Sequence, residues 1–161
     1  MIIKNNSRGV TLIELVIAVV IVSVIAAMAI PQFGRVVPRL EFKSASRDVV
    51  SDLRLARSLA IAQRTQIGLY FNSSQRQYSI FKDIANPDAF TFEAGDSLIR
   101  TVTLDQNLSI PSCSFTNYTI VFKPDGSASS TGGVVVGYSQ GSDLANVNVL
   151  ASTGRVKLTY Q

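Results

Sequence analysis

The chain has 161 residues, of which 47% are hydrophobic and only 16% charged, with a mean hydropathy of +0.26 and fifteen Lys+Arg against eleven Asp+Glu. It contains no histidine, which excludes His-based general-base catalysis and His metal sites, and its one cysteine, Cys113, excludes an internal disulfide or a multi-thiolate metal centre. The average is too apolar for an ordinary soluble domain and too polar for a multi-span membrane protein, and it argues against an enzyme.

The hydrophobicity is concentrated near the N-terminus. Val10 to Ile30 is 21 residues long, 18 of them Ala, Val, Ile, Leu or Met, and Glu14 is its only charge. As a helix this run spans roughly 31 Å, the thickness of a bilayer's hydrocarbon core. A secretory signal peptide would have an apolar region of about 7–15 residues and a small-x-small cleavage site. Here the run is longer and passes into Pro31 and Phe33 without a convincing cleavage site. Lys4 and Arg8 precede it and place that end in the cytoplasm, with everything from Pro31 onward outside. A carboxylate inside such a helix costs a few kcal/mol unless it is paired, protonated or able to snorkel. Glu14 lies about one turn from Val10, so it either snorkels or needs a cationic partner within an assembly.

The segment Arg8-Gly9-Val10-Thr11-Leu12-Ile13-Glu14-Leu15 resembles the class III signal of type IV pilins and pseudopilins. The resemblance implies a short polar leader (residues 1–9), cleavage between Gly9 and Val10 by a prepilin peptidase, and methylation of the new Val10 amine. Val10 stands where the family most often has Phe. In a filament, the Val10 amine of an incoming subunit would neutralise Glu14 of a neighbour. Such a buried pair acts mainly as a ruler for axial placement, because desolvation offsets much of the attraction.

Pro31 is expected to kink or loosen the helix, and Gly34 and Pro38 to weaken it further. Beyond Pro38, residues Phe42, Ala45, Val49, Leu53, Ala56, Leu59 and Ala60 recur at helical spacing, so residues 31–64 form an amphipathic second half of the helix. Its other faces carry Arg35, Arg39, Lys43, Arg47, Arg54, Arg57 and Arg64 against Glu41, Asp48 and Asp52, a surplus equal to the net charge of +4. The ordinary explanation is a solvated face with i,i+4 pairs, preferred to a nucleic-acid role because the shaft of a filament would cover much of the helix.

From Gln66 the texture changes to short β-type runs separated by turn residues. Ile67–Phe71 and Tyr78–Phe81 flank Asn72-Ser73-Ser74 as a hairpin, and Leu98–Leu104 follows a loop punctuated by Asn86-Pro87-Asp88 and Ala94-Gly95-Asp96. Tyr118–Phe122 leads into the turn Lys123-Pro124-Asp125-Gly126, and Val134–Tyr138, Asn146–Leu150 and Arg155–Tyr160 complete the set. The expected fold is α+β: a long N-terminal helix, transmembrane over residues 10–30, packed on an antiparallel β-sheet head at 65–161, in the manner of a type IV pilin.

Three further segments narrow the resemblance to the FimT/GspH group of minor pilins and pseudopilins. Leu55–Arg64 looks like the group's helix signature, Phe122-Lys123-Pro124-Asp125-Gly126 like its Phe-x-Pro-x-Gly turn, and Gly154-Arg155-Val156-Lys157 like its C-terminal Gly-Arg-x-Arg element. FimT-like members bind DNA through that element during natural transformation, and the resemblance extends this to Arg155 and Lys157. Lys157 keeps the charge of the usual Arg without its bidentate fork. On a strand the two side chains share one face, about 7 Å apart, with Val156 pointing inward. Gly154 serves either as the positive-φ residue of the turn or as a point of close phosphate approach, and Arg100 and Lys123 are candidate helpers. The competing function is that of a GspH-like pseudopilin of type II secretion, structural and without a ligand. Expected partners are other pilins, the prepilin peptidase, the inner membrane and DNA; no cofactor or metal is expected. Cys113, in Pro111-Ser112-Cys113-Ser114, is expected to be buried in packing, the alternative being an intermolecular disulfide.

Overall fold

The structure, a computed structural model, describes residues 10–139 and 141–161, with side chains outside 29–36. The leader 1–9, with Lys4, Arg8 and Gly9, lies outside the described residues. Two compact units are present, Met1–Pro38 and Arg39–Gln161.

Helix α1 runs from Leu12 to Gln63, and Pro31, Gly34 and Pro38 do not end it. Its start is set by Thr11, whose Oγ1 accepts the Glu14 backbone amide at 3.3 Å, an N-cap bond. In the first unit the apolar side chains from Leu12 to Met28 are exposed. Among the described residues no helix is long and apolar enough to cross a membrane, the described side chains of the Val10–Ile30 run ending at Met28. At the other end, the Thr65 amide reaches back to the Ala60 carbonyl at 3.2 Å and Arg64 adopts φ 50°. This is a Schellman stop with arginine at the left-handed position usually held by glycine.

The second unit has two antiparallel sheets where the sequence suggests one. The first contains β1 (Ile67–Asn72), β2 (Gln77–Lys82), β3 (Ser97–Thr103) and β5 (Thr119–Phe122) in the order β3-β2-β1-β5. The second contains β4 (Leu108–Cys113), β6 (Gly132–Tyr138), β7 (Leu144–Leu150) and β8 (Arg155–Tyr160) in the order β4-β6-β7-β8. The β1–β2 hairpin pairs Ile67 with Lys82 through to Asn72 with Gln77, as its turn chemistry implies. Strand β4 is absent from the sequence-based expectation because Pro111 lies within it. It is tolerated at the sheet edge, where the β4–β6 register shifts between Ser109 and Ser112. Cys113, at the end of β4, is half-buried and free, and burial raises its thiol pKa even though a backbone hydrogen bond at Phe115 works the other way.

One core joins these parts. Phe42, Val49, Val50, Leu53, Ala56 and Ala60 of α1 are buried together with Leu69, Phe71, Tyr78, Ile80, Ile120 and Phe122 of the first sheet and Ile110, Val134, Val136, Val147 and Val149 of the second. Every residue of this core belongs to Arg39–Gln161, so that unit carries what an independently folding domain requires. The intrahelical i,i+4 ion pairs expected on α1 do not form: among the described residues the ion pairs are Arg39–Asp143 and Arg100–Asp52, and both leave the helix. Asp52 is buried and its carboxylate also accepts the Tyr78 hydroxyl at 2.6 Å; the burial of Tyr78 itself, reinforced by that hydrogen bond and by the Asp52 charge, raises the Tyr78 pKa.

The loop between β2 and β3 folds back on the first sheet. Phe92 packs against Tyr70 (5.4 Å between centroids) and Phe81 (4.9 Å), and Asp96 accepts the amides of Ile84, Ala85 and Glu93. Partial burial works against the Asp96 charge, but those three amides outweigh it and hold the carboxyl below its ordinary value. Asp83 fares differently. It is 3% exposed, neither carboxyl oxygen has a partner, and desolvation, with Asp96 and Glu93 nearby, pushes its pKa up to about 6. A raised folded-state pKa favours the fold while the group is protonated, and that contribution is lost as pH rises through about 6. We therefore expect the head to lose roughly 2 kcal/mol between about pH 4 and pH 7 on this account. Asp83→Asn should flatten that fall and raise the melting temperature at neutral pH, as thermal unfolding across the range will show; an unchanged profile would refute the assignment.

Candidate nucleic-acid interface

The C-terminal element lies where α1 and the second sheet meet. On β8 the Arg155 and Lys157 side chains are exposed and Val156 between them is buried at 8%. With Arg54, Arg57, Ser58 and Ile61 of α1, and with Gly154, Val156 and Leu158, they line a groove of about 670 Å³. The same two cations also border a second groove on the other side of β8, lined by Ser114, Thr131, Gly132, Asn148, Val149 and Leu150. They therefore stand on a ridge between two depressions.

The floor of the first groove joins the three segments that resemble FimT/GspH signatures. Arg57, from the helix, donates from Nε to the carbonyl oxygen of Gly126, the last residue of the Lys123–Gly126 turn, at 2.9 Å. Gly154 sits against both partners, with its own amide donating to Leu150 at 2.8 Å. Its φ is +60°, and a Cβ there would run into the Gly126 carbonyl oxygen and lie 2.8 Å from Arg57 Nε. Both the left-handed backbone and the close approach require glycine. What Gly154 approaches so closely is the protein's own turn.

The two candidate helpers are engaged elsewhere. Arg100 on β3 is ion-paired with Asp52, and Lys123 Nζ lies 5.0 Å from the centre of the Phe90 ring. Neither lines the groove with Arg155 and Lys157. Arg54 and Arg57, treated above as ordinary helix charges, do line it, and among the described residues neither forms an ion pair. The signal for them was present in the spacing. At about 100° per residue, Lys43, Arg47, Arg54 and Arg57 fall within an arc of roughly 80°, on one flank of the buried stripe, while Glu41, Asp48 and Asp52 fall on the other.

At the opposite end of the chain, Val10 and Glu14 are exposed in the first unit. Thr11 at the cap and Glu14 three residues on have the residue types and spacing of a capping box, of which the Thr11 half is formed.

A helix packed on antiparallel sheets with an apolar N-terminal extension defines a pilin-like α+β subunit. The family model "Type II transport protein GspH" matches residues 45–154, and the "Prokaryotic N-terminal methylation motif" matches residues 4–30. The chain belongs to the GspH family, and is a minor pilin or pseudopilin of the type IV pilus or type II secretion kind. Its fold is similar to that of the minor pseudopilin EpsH from the Type 2 Secretion System of Vibrio cholerae, with a TM-score of 0.58 at 14% identity over 74% of this chain and 96% of that one. It is also similar to the type IV minor pilin FimU of Pseudomonas aeruginosa, with a TM-score of 0.56 at 17% identity over 75% of this chain and 90% of that one. No curated protein matches the sequence.

Proposed function

We propose that this protein is a minor pilin that joins or primes a type IV pilus and binds DNA without sequence specificity during uptake. The observation that carries this reading is the groove in which Arg155 and Lys157 meet Arg54 and Arg57, four cations with no carboxylate paired to any of them among the described residues. Backbone phosphate is the anion such a surface suits: lysine and arginine supply charge, and the groove lining offers no aromatic platform on which bases could stack. Maturation in this reading is cleavage between Gly9 and Val10 by a prepilin peptidase, followed by methylation of the Val10 amine, which the matched methylation motif supports. The Val10–Ile30 segment is then the single inner-membrane span, with the head periplasmic before assembly and on the filament after it.

The test is a gel shift with the fragment Phe33–Gln161, which contains the whole second unit, at two salt concentrations. Arg155→Gln/Lys157→Gln is expected to weaken duplex binding about tenfold or more at low salt, equally for unrelated sequences. Equal binding by the variant and the unaltered fragment would remove the DNA assignment. The second reading, a pseudopilin of type II secretion with no ligand, is favoured by the family's description and by the likeness to EpsH. It predicts that neither fragment shifts DNA and that the chain co-assembles with secretion pseudopilins.

A further inference from the structure

The DNA-binding reading rests on two strand residues and their immediate groove, but the placement of α1 extends the same charge well beyond them. Helix and strand lie side by side over the whole length of β8. At one end Arg57 is beside Gly154; at the other the Phe42 and Tyr160 rings pack edge to face with centroids 6.1 Å apart. The lengths agree: fifteen helical steps from Phe42 to Arg57 rise about 22 Å, and six strand steps from Gly154 to Tyr160 cover about 20 Å. The flank of α1 that borders β8 is its basic one. Lys43 lines a pocket with Tyr160 and Gln161, Arg47 is exposed one turn on, and Arg54 and Arg57 line the groove with Arg155 and Lys157. The acidic flank lies on the other side, where Glu41 and Asp48 share a pocket with Tyr78 and Val102 of the first sheet. The carboxylates near the seam are already occupied. Asp143 is paired with Arg39 at 3.3 Å, and Asp125 accepts the Ser127 hydroxyl at 2.6 Å and its amide at 2.9 Å.

We infer that the α1–β8 seam is a continuous polyanion track, formed by Lys43, Arg47, Arg54, Arg57, Arg155 and Lys157, along which duplex DNA lies parallel to the helix. This inference rests on the DNA-binding reading and deepens it by naming the ligand's form and direction. From Lys43 to Arg57 the track is about 21 Å long. Duplex DNA presents one charge per roughly 1.7 Å of axis, so six cations spread over that length meet successive phosphates without crowding. A single strand carries half that density and finds no aromatic ring in the groove around Arg155 and Lys157, Tyr160 lying only at the far end of the track.

The salt dependence separates a pair from a track. Two phosphate contacts give a slope of about −1.8 in log K against log[salt], the four cations of the groove alone about −3.6, and six about −5. The experiment measures duplex affinity of the full chain in non-ionic detergent across a salt series, for the unaltered protein, Arg155→Gln/Lys157→Gln, Arg47→Gln/Arg54→Gln and Arg47→Lys/Arg54→Lys. The expected slopes are about −5 for the unaltered protein, about −3.5 for each glutamine variant, and about −5 again for the lysine variant, which keeps the charge. A weaker slope for a single strand of equal length is also expected. A slope of about −3.6 or weaker in the unaltered protein, or one that Arg47→Gln/Arg54→Gln leaves unchanged while Arg155→Gln/Lys157→Gln lowers it, overturns the track and leaves the DNA reading standing. Loss of slope in the lysine variant as well overturns it too, because shape rather than charge would then be at work. Absence of binding by the unaltered protein overturns both.

Discussion

Gly154→Ala should destabilise the head by about 3 kcal/mol and lower its melting temperature by roughly 10 °C. Two independent costs combine. The residue sits at φ +60°, where an L side chain costs roughly 1–2 kcal/mol. The added methyl would also run into the Gly126 carbonyl oxygen and press on Arg57 Nε at 2.8 Å. A flexible side-chain tip could turn aside, but a carbonyl held by Arg57 at 2.9 Å cannot, so the turn must move and the Arg57 bond is lost with it. Gly95 provides the control. It too has a positive φ, +121°, yet a methyl there meets only Ala85 Cβ at 3.4 Å. At φ +121° an L residue is strained at least as much as at +60°, so Gly95→Ala sets an upper bound on the backbone cost with little steric cost, and its melting temperature should fall less than that of Gly154→Ala. A fall for Gly154→Ala no larger than that for Gly95→Ala, read by thermal unfolding of Phe33–Gln161, would overturn the added steric cost at Gly126. Where enough Gly154→Ala protein remains folded, its DNA affinity should also fall, because Arg155 and Lys157 are placed by the turn that the methyl displaces.

The same corner shows what could be read from the residues in advance and what could not. The alternation Arg155-Val156-Lys157 and the turn glycine before it are local patterns, and local patterns survive folding: Val156 is buried and its neighbours are exposed. The β1–β2 hairpin was legible for the same reason. The division into two sheets was not, because strands in a sequence carry no statement of which edge they join, and β5 returns to pair with β1 across 46 intervening residues. Strand β4 was hidden by Pro111, whose missing donor matters little at an edge. Arg100 looked free because its partner, Asp52, is 48 positions away on the helix. The case of Arg54 and Arg57 is different. Their segregation from the acidic residues follows from helical periodicity alone, but periodicity does not say that β8 will lie along that flank. Only the packing of Phe42 on Tyr160 and of Arg57 on Gly126 turns a charged helix face into one wall of a groove.

Glu14→Ala should impair incorporation into filaments while leaving leader cleavage intact. Within one chain, Glu14 lies in the first turn of α1, where a negative charge is favoured by the helix dipole and where it stands at the third position of a Thr11 capping box. The capping role is worth about 1 kcal/mol and glutamine serves it equally well, while the dipole's share, about 0.3–1 kcal/mol, needs the charge but is small beside the assembly role. The assembly role requires the charge. A neighbour's Val10 amine can neutralise a carboxylate but gains nothing comparable from a neutral amide, and an unpaired charge left in an apolar filament core costs several kcal/mol. The two roles therefore separate on one substitution. If the pairing governs axial placement, Glu14→Gln fails to assemble as Glu14→Ala does, incorporation falling on the order of tenfold or more, which a coupling of about 1.4 kcal/mol suffices to produce. If capping alone matters, Glu14→Gln assembles normally. Co-purification of each variant with filaments, alongside immunoblotting for the cleaved chain, distinguishes them. Normal incorporation of Glu14→Gln would end the pairing hypothesis, and failure to cleave Glu14→Ala would move the residue's role from assembly to recognition by the peptidase. In the proposed reading the order of dependence follows from chemistry: cleavage would expose the Val10 amine, Glu14 of the next subunit could then hold it, and only a subunit held in register would carry the proposed basic track to the filament surface.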